Sequence, residues 1–188
     1  MLSTIIKEAT KFPHQELEKK IIPIIKAIQN EASYADFLKH FYAYFTAVEK
    51  VIAPFINKNV LPDVATRRNA SFIKNDIEAL GCSIDELPMA VAPEVNSLFE
   101  AVGALYVLEG SIMGGPYIVQ MLQKNGIKNG LSFFSGYGAE SGKKWTVFTN
   151  TLNFIAKSDE DKNQVIKAAH QTFERFGHVF GDVSITNS

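Results

Sequence analysis

The sequence predicts an all-α fold in one domain. Apolar residues recur at intervals of three and four along almost the whole chain, and two-residue alternation never persists beyond a few positions. A length of 188 residues is enough to bury one core, and 46% hydrophobic with 21% charged residues is typical of a globular chain. We therefore expect residues 1–188 to form a single multi-helical domain.

The first two helices are predicted from their apolar faces. One begins at Leu2 and continues past Pro13 and Pro23, each of which should kink or interrupt it because proline lacks an N–H. Ser33 is the predicted N-cap of a second, long helix that ends near Pro54. This helix carries a broad aromatic stripe of Phe37, Phe41, Tyr44, Phe45 and Val48.

The rest of the chain is predicted to add four helices. They span Asp63–Leu80, Pro93–Lys124, Lys143–Ile155 and Asp159–Phe180, and residues 129–142 are predicted to be a loop. Asp63 and Asp159 are the expected N-caps of the first and the last of them, because short polar side chains accept hydrogen bonds from free N–H groups.

Composition excludes several classes of function. A formal net charge of -1 gives no field that would attract nucleic acid or an anionic membrane. The single cysteine, Cys82, rules out an intramolecular disulfide and a thiolate metal cage. The segment Ala101–Leu122 is apolar enough for a membrane span, but Glu109 near its centre favours a buried core helix. With no secretory signal at the N-terminus, we expect a cytoplasmic protein.

Lys7 and His14 form the first candidate site. Seven residues is nearly two helical turns, so a continuous helix would place both side chains on one face about 10 Å apart. An imidazole there could bind the metal of a flat macrocycle while the ammonium reaches a carboxylate at its rim. The alternative is a solvated lysine and a histidine bonded to backbone or water.

Glycines on the most apolar helix form the second candidate site. Gly103, Tyr106, Val107, Gly110 and Gly114 fall at helical spacings of three and four. Each glycine costs a helix interior roughly 0.5–1 kcal/mol relative to alanine, so a close neighbour must benefit from the missing side chain. That neighbour is either another helix backbone or a flat ligand.

These two sites resemble those of one family. The run KEATKFPHQELE (Lys7–Glu18) resembles the proximal-helix signature of haem oxygenases, and GALYVLEGSIMGG (Gly103–Gly115) is similar to the distal helix of the bacterial members. Further agreement lies in Arg67–Gly81, Phe133–Leu152 and Ala168–Phe173, so the resemblance covers most of the chain. It implies a bundle in which haem lies between an N-terminal proximal helix and a kinked distal helix.

The resemblance also implies residue roles. His14 would ligate the haem iron, and Lys7 and Tyr106 would contact the haem propionates, with Lys143 or Lys144 as further candidates. The catalytic distal face would then be lined by Gly110, Ser111 and Gly114, and Glu109 is assigned a structural role on another face of the helix.

The activity implied is oxidative opening of haem. In this family b-type haem is both cofactor and substrate, and O2 with external electrons yields biliverdin, CO and ferrous iron. The chain has no dinucleotide-binding motif or cysteine cluster, so its electrons should come from a ferredoxin or a flavin reductase. A phytochrome that accepts biliverdin is a further possible partner.

Two alternatives remain at this stage. A haem-binding or haem-trafficking protein without turnover is suggested by Pro13, which precedes His14, and by Pro116, which follows the distal glycines; both depart from the family pattern. A helical thiaminase-like hydrolase would need Cys82 as its nucleophile.

Overall fold

A computed structural model describes residues 1–181, which contain eight α-helices, two 3-10 turns and no β-strand. The predicted all-α class is therefore confirmed. The turns lie at Val64–Thr66 and Gly138–Glu140. The helices are α1 (Leu2–Ala9), α2 (Lys11–Ala27), α3 (Glu31–Ile52), α4 (Ala70–Ala79), α5 (Leu98–Lys124), α6 (Ser132–Ser135), α7 (Ser141–Ile155) and α8 (Asp159–Val179).

Helix α5 is the central element of the bundle. It packs most extensively on α8 and also touches α2, α3, α6 and α7. Residues 101–109 of α5 are all buried, which explains why this helix is apolar on every side. Within residues 1–181 it is the one helix long and apolar enough to cross a membrane, yet half of its most apolar window is buried in the protein. These features are those of a core helix.

The aromatic stripe of α3 forms the centre of the core, as predicted. Phe41 packs edge-on against Phe176 of α8 with ring centroids 4.9 Å apart, and Tyr44 stacks on the same ring at 4.6 Å. The Tyr44 hydroxyl donates to the carbonyl of Thr172 at 2.5 Å, so its polar end is satisfied inside the core. These contacts join α3 to α8, and both helices also pack against α5.

The predicted helix Asp63–Leu80 forms only in its second part, as α4, and its predicted start at Asp63 is wrong. The chain instead forms a short 3-10 turn after Asp63, then passes through extended residues at Arg67 and Asn69 before α4 begins. Asn69, not Asp63, caps α4, with its side chain accepting from Ser71 N at 2.9 Å. The interruption turns Arg67 and Arg68 into the core, where they find partners on α5.

The N-terminal helix is interrupted earlier than predicted. It breaks at Thr10, and Pro13 lies in the first turn of α2, where its missing N–H removes little. Lys7 and His14 therefore belong to different helices, so the condition of a continuous helix between them is not met. Pro23 is tolerated inside α2.

Several predicted helix ends also shift. Asn30 is the N-cap of α3, and Ser33 is the third helical residue that completes the capping box. Ser97 caps α5, so this helix starts five residues later than Pro93. Ser158 replaces Asp159 as the cap of α8. The predicted loop 129–142 contains α6 and the second 3-10 turn.

Candidate functional site

His14 lies in the first turn of α2 with its imidazole half exposed. Its ring packs edge-on against Phe173 of α8, with centroids 5.4 Å apart. Nε2 is 3.7 Å from a carboxylate oxygen of Glu18, which is too far for a hydrogen bond. Among residues 1–181, neither ring nitrogen of His14 forms a hydrogen bond. Lys7 is also exposed, one helix earlier. Both side chains are therefore available to a ligand.

The glycines of α5 divide into two groups. A Cβ on Gly103 would lie 2.3 Å from the carbonyl oxygen of Val165, and one on Gly115 would lie 2.0 Å from that of Phe134. These two glycines are therefore required by helix packing. A Cβ on Gly114 would meet no atom within 4 Å, and one on Gly110 would make only ordinary contact with Trp145, at 3.7 Å. Gly114 therefore borders open space, whereas Gly110 faces the indole of Trp145.

Tyr106 is buried one turn before Gly110. Its ring lies 5.7 Å from that of Trp145, centroid to centroid. Burial raises the pKa of the Tyr106 hydroxyl, and a hydrogen bond with the Thr10 side chain partly offsets this effect. Since Thr10 is the residue at which α1 ends and α2 begins, Tyr106 connects the glycine face of α5 to the segment that carries Lys7 and His14.

Ser111 is engaged by a buried arginine. The Arg68 guanidinium donates to Ser111 Oγ, to the Phe133 carbonyl at 2.6 Å and to the Leu108 carbonyl at 3.2 Å, and it lies over the Phe133 ring. Ser111 Oγ donates its own proton to the Leu108 carbonyl at 2.6 Å. The hydroxyl is thus committed as a donor and retains one free lone pair, so it can accept a hydrogen bond from a ligand-side water but not donate one.

Glu109 forms a buried ion pair with Arg67, consistent with a structural role. Both side chains are only 4% exposed. Burial raises the pKa of the Glu109 carboxyl, while the Arg67 guanidinium acts in the opposite direction. Arg67 also binds Asp63, with Nε and Oδ1 2.8 Å apart, and donates to the Lys144 carbonyl at 2.9 Å. This network joins α5 to the start of α7.

The two lysines suggested as propionate contacts differ in their surroundings. Lys144 Nζ donates to Asp63 Oδ2 at 2.9 Å and to Thr66 Oγ1 at 2.7 Å, so it already belongs to the network around Arg67. Lys143 is 77% exposed and lies 3.4 Å from a carboxylate oxygen of Glu140. Of the two, Lys143 is the one free to turn toward a ligand.

A cavity of about 250 Å³ lies on the other side of α5. Its polar wall comprises Glu49, Arg67, Arg68, Asn69 and Glu109, and apolar residues of α3 and α5 complete it. None of His14, Gly110 or Gly114 lines it, because Leu105 and Leu108 point away from the glycine face of the helix. This cavity is therefore separate from the open space beside the glycines.

The metal-ligating side chains of this site fit haem better than a metal ion held by several protein ligands. Within residues 1–181 no group of three or more histidine, cysteine or carboxylate side chains could hold a metal. A haem iron needs only one protein ligand, since the porphyrin supplies four, and the flat macrocycle needs a space that no side chain fills. The half-exposed imidazole of His14 can supply that ligand, and no atom would lie within 4 Å of a Cβ on Gly114. We therefore find that these residues fit the group.

His40, His170 and Cys82 have local roles. His40 stacks on Phe180 at 5.1 Å, and His170 forms an i,i+4 pair with Glu174. Cys82 is half-buried, and its Sγ lies 3.7 Å from the carbonyl of Leu80. A nucleophilic cysteine needs an activating base, and no histidine or carboxylate contacts Cys82 in the described part of the chain. The hydrolase alternative therefore has no support.

Trp145, Arg67 and Arg68 were not singled out from the sequence. Arg67 and Arg68 lie within the segment Asp63–Leu80 that was predicted as helix, where arginines are ordinarily solvated, and the signal for the break was Asn69 as an N-cap. Trp145 lies on a predicted helix with no partner named, and its position beside Tyr106 depends on how α7 packs.

The fold is that of solved heme oxygenases. The heme oxygenase from Neisseria meningitidis, solved with NO and CO bound, superposes with a TM-score of 0.80 at 20% identity, over 96% of this chain and 90% of that one. The heme oxygenase from Leptospira interrogans superposes with a TM-score of 0.72 at 19% identity, over 95% of this chain and 98% of that one.

Sequence comparison gives the same family. "Heme oxygenase PigA" of Pseudomonas aeruginosa is 26% identical over 176 residues, which are 89% of this chain and 85% of that protein. The "Heme oxygenase" of Xanthomonas campestris pv. campestris is 27% identical over 146 residues, which are 77% of this chain and 86% of that protein. Fold and site thus define an all-α haem enzyme. Residues 1–182 match the family model "Heme oxygenase", and the chain belongs to the haem oxygenase family, whose members degrade haem.

Proposed function

We propose that this chain, as one domain of residues 1–188, binds haem between α2 and the glycine face of α5. His14 would ligate the iron, Lys7 and Tyr106 would hold the propionates, and Gly110 and Gly114 would line the opposite face. The observation that carries the proposal is the open space at Gly114, where a Cβ would meet nothing within 4 Å. Packing alone gives no reason for a glycine at that position, since alanine is the better helix former.

Each residue has a defined task in this arrangement. When bound, haem supplies the iron that activates O2 and the macrocycle that is opened to biliverdin, CO and ferrous iron. His14 would hold the iron through an imidazole nitrogen, which is a weaker electron donor than a cysteine thiolate. Ser111 Oγ, with its proton committed to Leu108, would accept a hydrogen bond from water and so hold that water beside the glycine backbone.

The proposed reaction needs an external protein that supplies electrons. We infer a ferredoxin or a flavin reductase as donor, because residues 1–188 contain no dinucleotide-binding motif and only one cysteine. A cytoplasmic location and transfer of biliverdin to a phytochrome are parts of the same proposal, and the chemistry serves either iron release from haem or chromophore supply.

Haem titration of a matched pair of variants tests the ligand. His14→Ala and His170→Ala each remove a histidine that lies beside a glutamate four residues later, with similar exposure, 52% and 41%. We expect His14→Ala to lose the histidine-ligated spectrum and at least about tenfold in affinity, and His170→Ala to match the wild type. Because Trp145 is the chain's only tryptophan, its fluorescence quenching measures haem occupancy independently. A wild-type spectrum in His14→Ala contradicts the proposal.

Turnover is tested separately from binding. The ferric complex is mixed with ascorbate or a ferredoxin system under O2, and the Soret band, bilin absorption and released iron are followed. Loss of the Soret band with bilin and free iron is the expected result. A Soret band that persists would favour the non-catalytic haem-trafficking alternative.

A further inference from the structure

Trp145 of α7 lies at the end of the glycine face where Tyr106 is located. Its ring centroid is 5.7 Å from that of Tyr106, at an interplanar angle of 47°. A Cβ on Gly110 would lie 3.7 Å from Trp145 Cη2 and 3.9 Å from Cζ3, and no other described side chain comes within 4 Å of that point. Trp145 is therefore the side chain that bounds the open space at Gly110.

The open space is consequently asymmetric. At Gly110 the indole closes it, whereas at Gly114, one turn further along α5, nothing lies within 4 Å of a Cβ. A flat ligand lying against α5 would meet an aromatic wall at one end and none at the other. The difference between the two ends would select one orientation of an asymmetric macrocycle, because only some of its edges fit against the Trp145 indole.

Buried contacts fix Trp145 before any ligand binds. The carbonyl of Lys144, its chain neighbour, accepts a hydrogen bond from Arg67 at 2.9 Å, and Arg67 is paired with buried Glu109 of α5. On its inner side the indole packs against Phe148, with ring centroids 5.8 Å apart. The wall is thus tied to the same helix that carries the glycines, which is how rigid binding sites are supported.

The polar edge of Trp145 is available to a ligand. The residue is only partly buried, and its indole N–H donates to no acceptor within residues 1–181. Indole N–H is a donor only, so its natural partner is a carboxylate or carbonyl oxygen. The side chain therefore offers both a ring face and one hydrogen-bond donor at this end.

We propose that Trp145 is a haem-positioning residue. This inference rests on the haem site of the proposed function. Trp145 and Tyr106 together define which edge of the macrocycle lies at the Gly110 end of that site. The side chain takes no part in electron or proton transfer. Its effect is on haem orientation, and through orientation on the biliverdin isomer that is formed.

The test replaces the indole and compares orientation with affinity. Trp145→Leu removes the ring, Trp145→Phe keeps a ring without N–H, and Phe154→Ala is the control, removing a 75% exposed aromatic residue elsewhere on α7. The readouts are haem affinity from the Soret titration, circular dichroism of the Soret band, and bilin isomers by chromatography. We expect Trp145→Leu to bind haem roughly tenfold more weakly, with an altered Soret dichroism and mixed isomers.

Trp145→Phe should change the Soret dichroism less, and Phe154→Ala should change nothing. Wild-type affinity, dichroism and isomers in Trp145→Leu would overturn the inference. If Trp145→Leu fails to fold, a Trp145→Phe variant with unchanged dichroism and isomers overturns it instead. Failure of the haem site itself is recognised separately, by a wild-type spectrum in His14→Ala.

Discussion

The guanidinium of Arg68 and the hydroxyl of Ser111 are hydrogen-bonded across 43 positions of the chain. One residue precedes α4 and the other lies within the glycine segment of α5. The same guanidinium binds two backbone carbonyls, and burial lowers its pKa to about 10, which still leaves it charged at neutral pH. A buried cation thus holds the backbone of the candidate site in place without a directly bonded carboxylate.

Removing this cation should destabilise the fold more than removing its partner. A hydrogen bond to a charged group contributes about 1.5–3 kcal/mol, and Arg68 makes three to Ser111, Phe133 and Leu108. We expect Arg68→Met to lower the free energy of unfolding by at least about 3 kcal/mol, and Ser111→Ala by about 1–2 kcal/mol. Urea unfolding at pH 7 measures both. Equal losses in the two variants would contradict this account.

Two adjacent glycines should respond to alanine in opposite ways. Gly114→Ala meets open space, so stability should stay the same or rise by up to about 1 kcal/mol, while the added methyl group should weaken haem binding roughly tenfold. Gly115→Ala places its Cβ 2.0 Å from the Phe134 carbonyl oxygen, so it should lower stability by about 3 kcal/mol or more.

Thermal unfolding and Soret titration of both variants check this pair. A Gly114→Ala protein that binds haem as tightly as the wild type would show that the open space at Gly114 is not the haem site. A fully stable Gly115→Ala protein would show that α5 and α6 can separate at no cost.

Glu49 should make stability depend on pH. Burial raises the pKa of its carboxyl from 4.5 to about 7, although Ala70 N donates to it at 2.8 Å. Between these values the folded chain keeps a proton that the unfolded chain releases, so stability falls as pH rises from 4.5 to 7. Glu49→Gln retains the acceptor for Ala70 and cannot ionise.

We therefore expect Glu49→Gln to match the wild type at pH 4.5 and to exceed it by about 1–3 kcal/mol at pH 8. Urea unfolding across this range provides the comparison. Glu78→Gln, which removes an exposed carboxylate of α4, is the control and should follow the wild type at every pH. Parallel stability curves for Glu49→Gln and wild type would exclude the effect.

The local pattern of the sequence predicted where helices end at clear chain breakers. The end of α3 near Pro54 and the end of α5 before Asn125 both follow from side-chain periodicity and from breakers in the chain. Arg67 and Arg68 could not be predicted in this way. Their extended segment is less favourable locally than a continued helix, and it is stabilised only by partners on α5 and α6 that are distant in sequence.

The candidate site shows the same division. The family resemblance of two motifs pointed to His14, Tyr106, Gly110 and Gly114, and their roles remain predictions. It could not say which glycines face open space, because the same helical spacing serves Gly103 and Gly115, which are packed against carbonyl oxygens. Nor could spacing place Trp145 beside Gly110.

The sequence by itself thus determined the fold class and the family, since these depend on short-range periodicity and motif content, and it predicted the residues of a haem site. Only the tertiary structure decided the two uses of glycine in α5, the buried partners of Glu109 and Ser111, and the wall formed by Trp145. The physical reason is that contact distances and burial depend on helices far apart in the chain, about which local spacing carries no information.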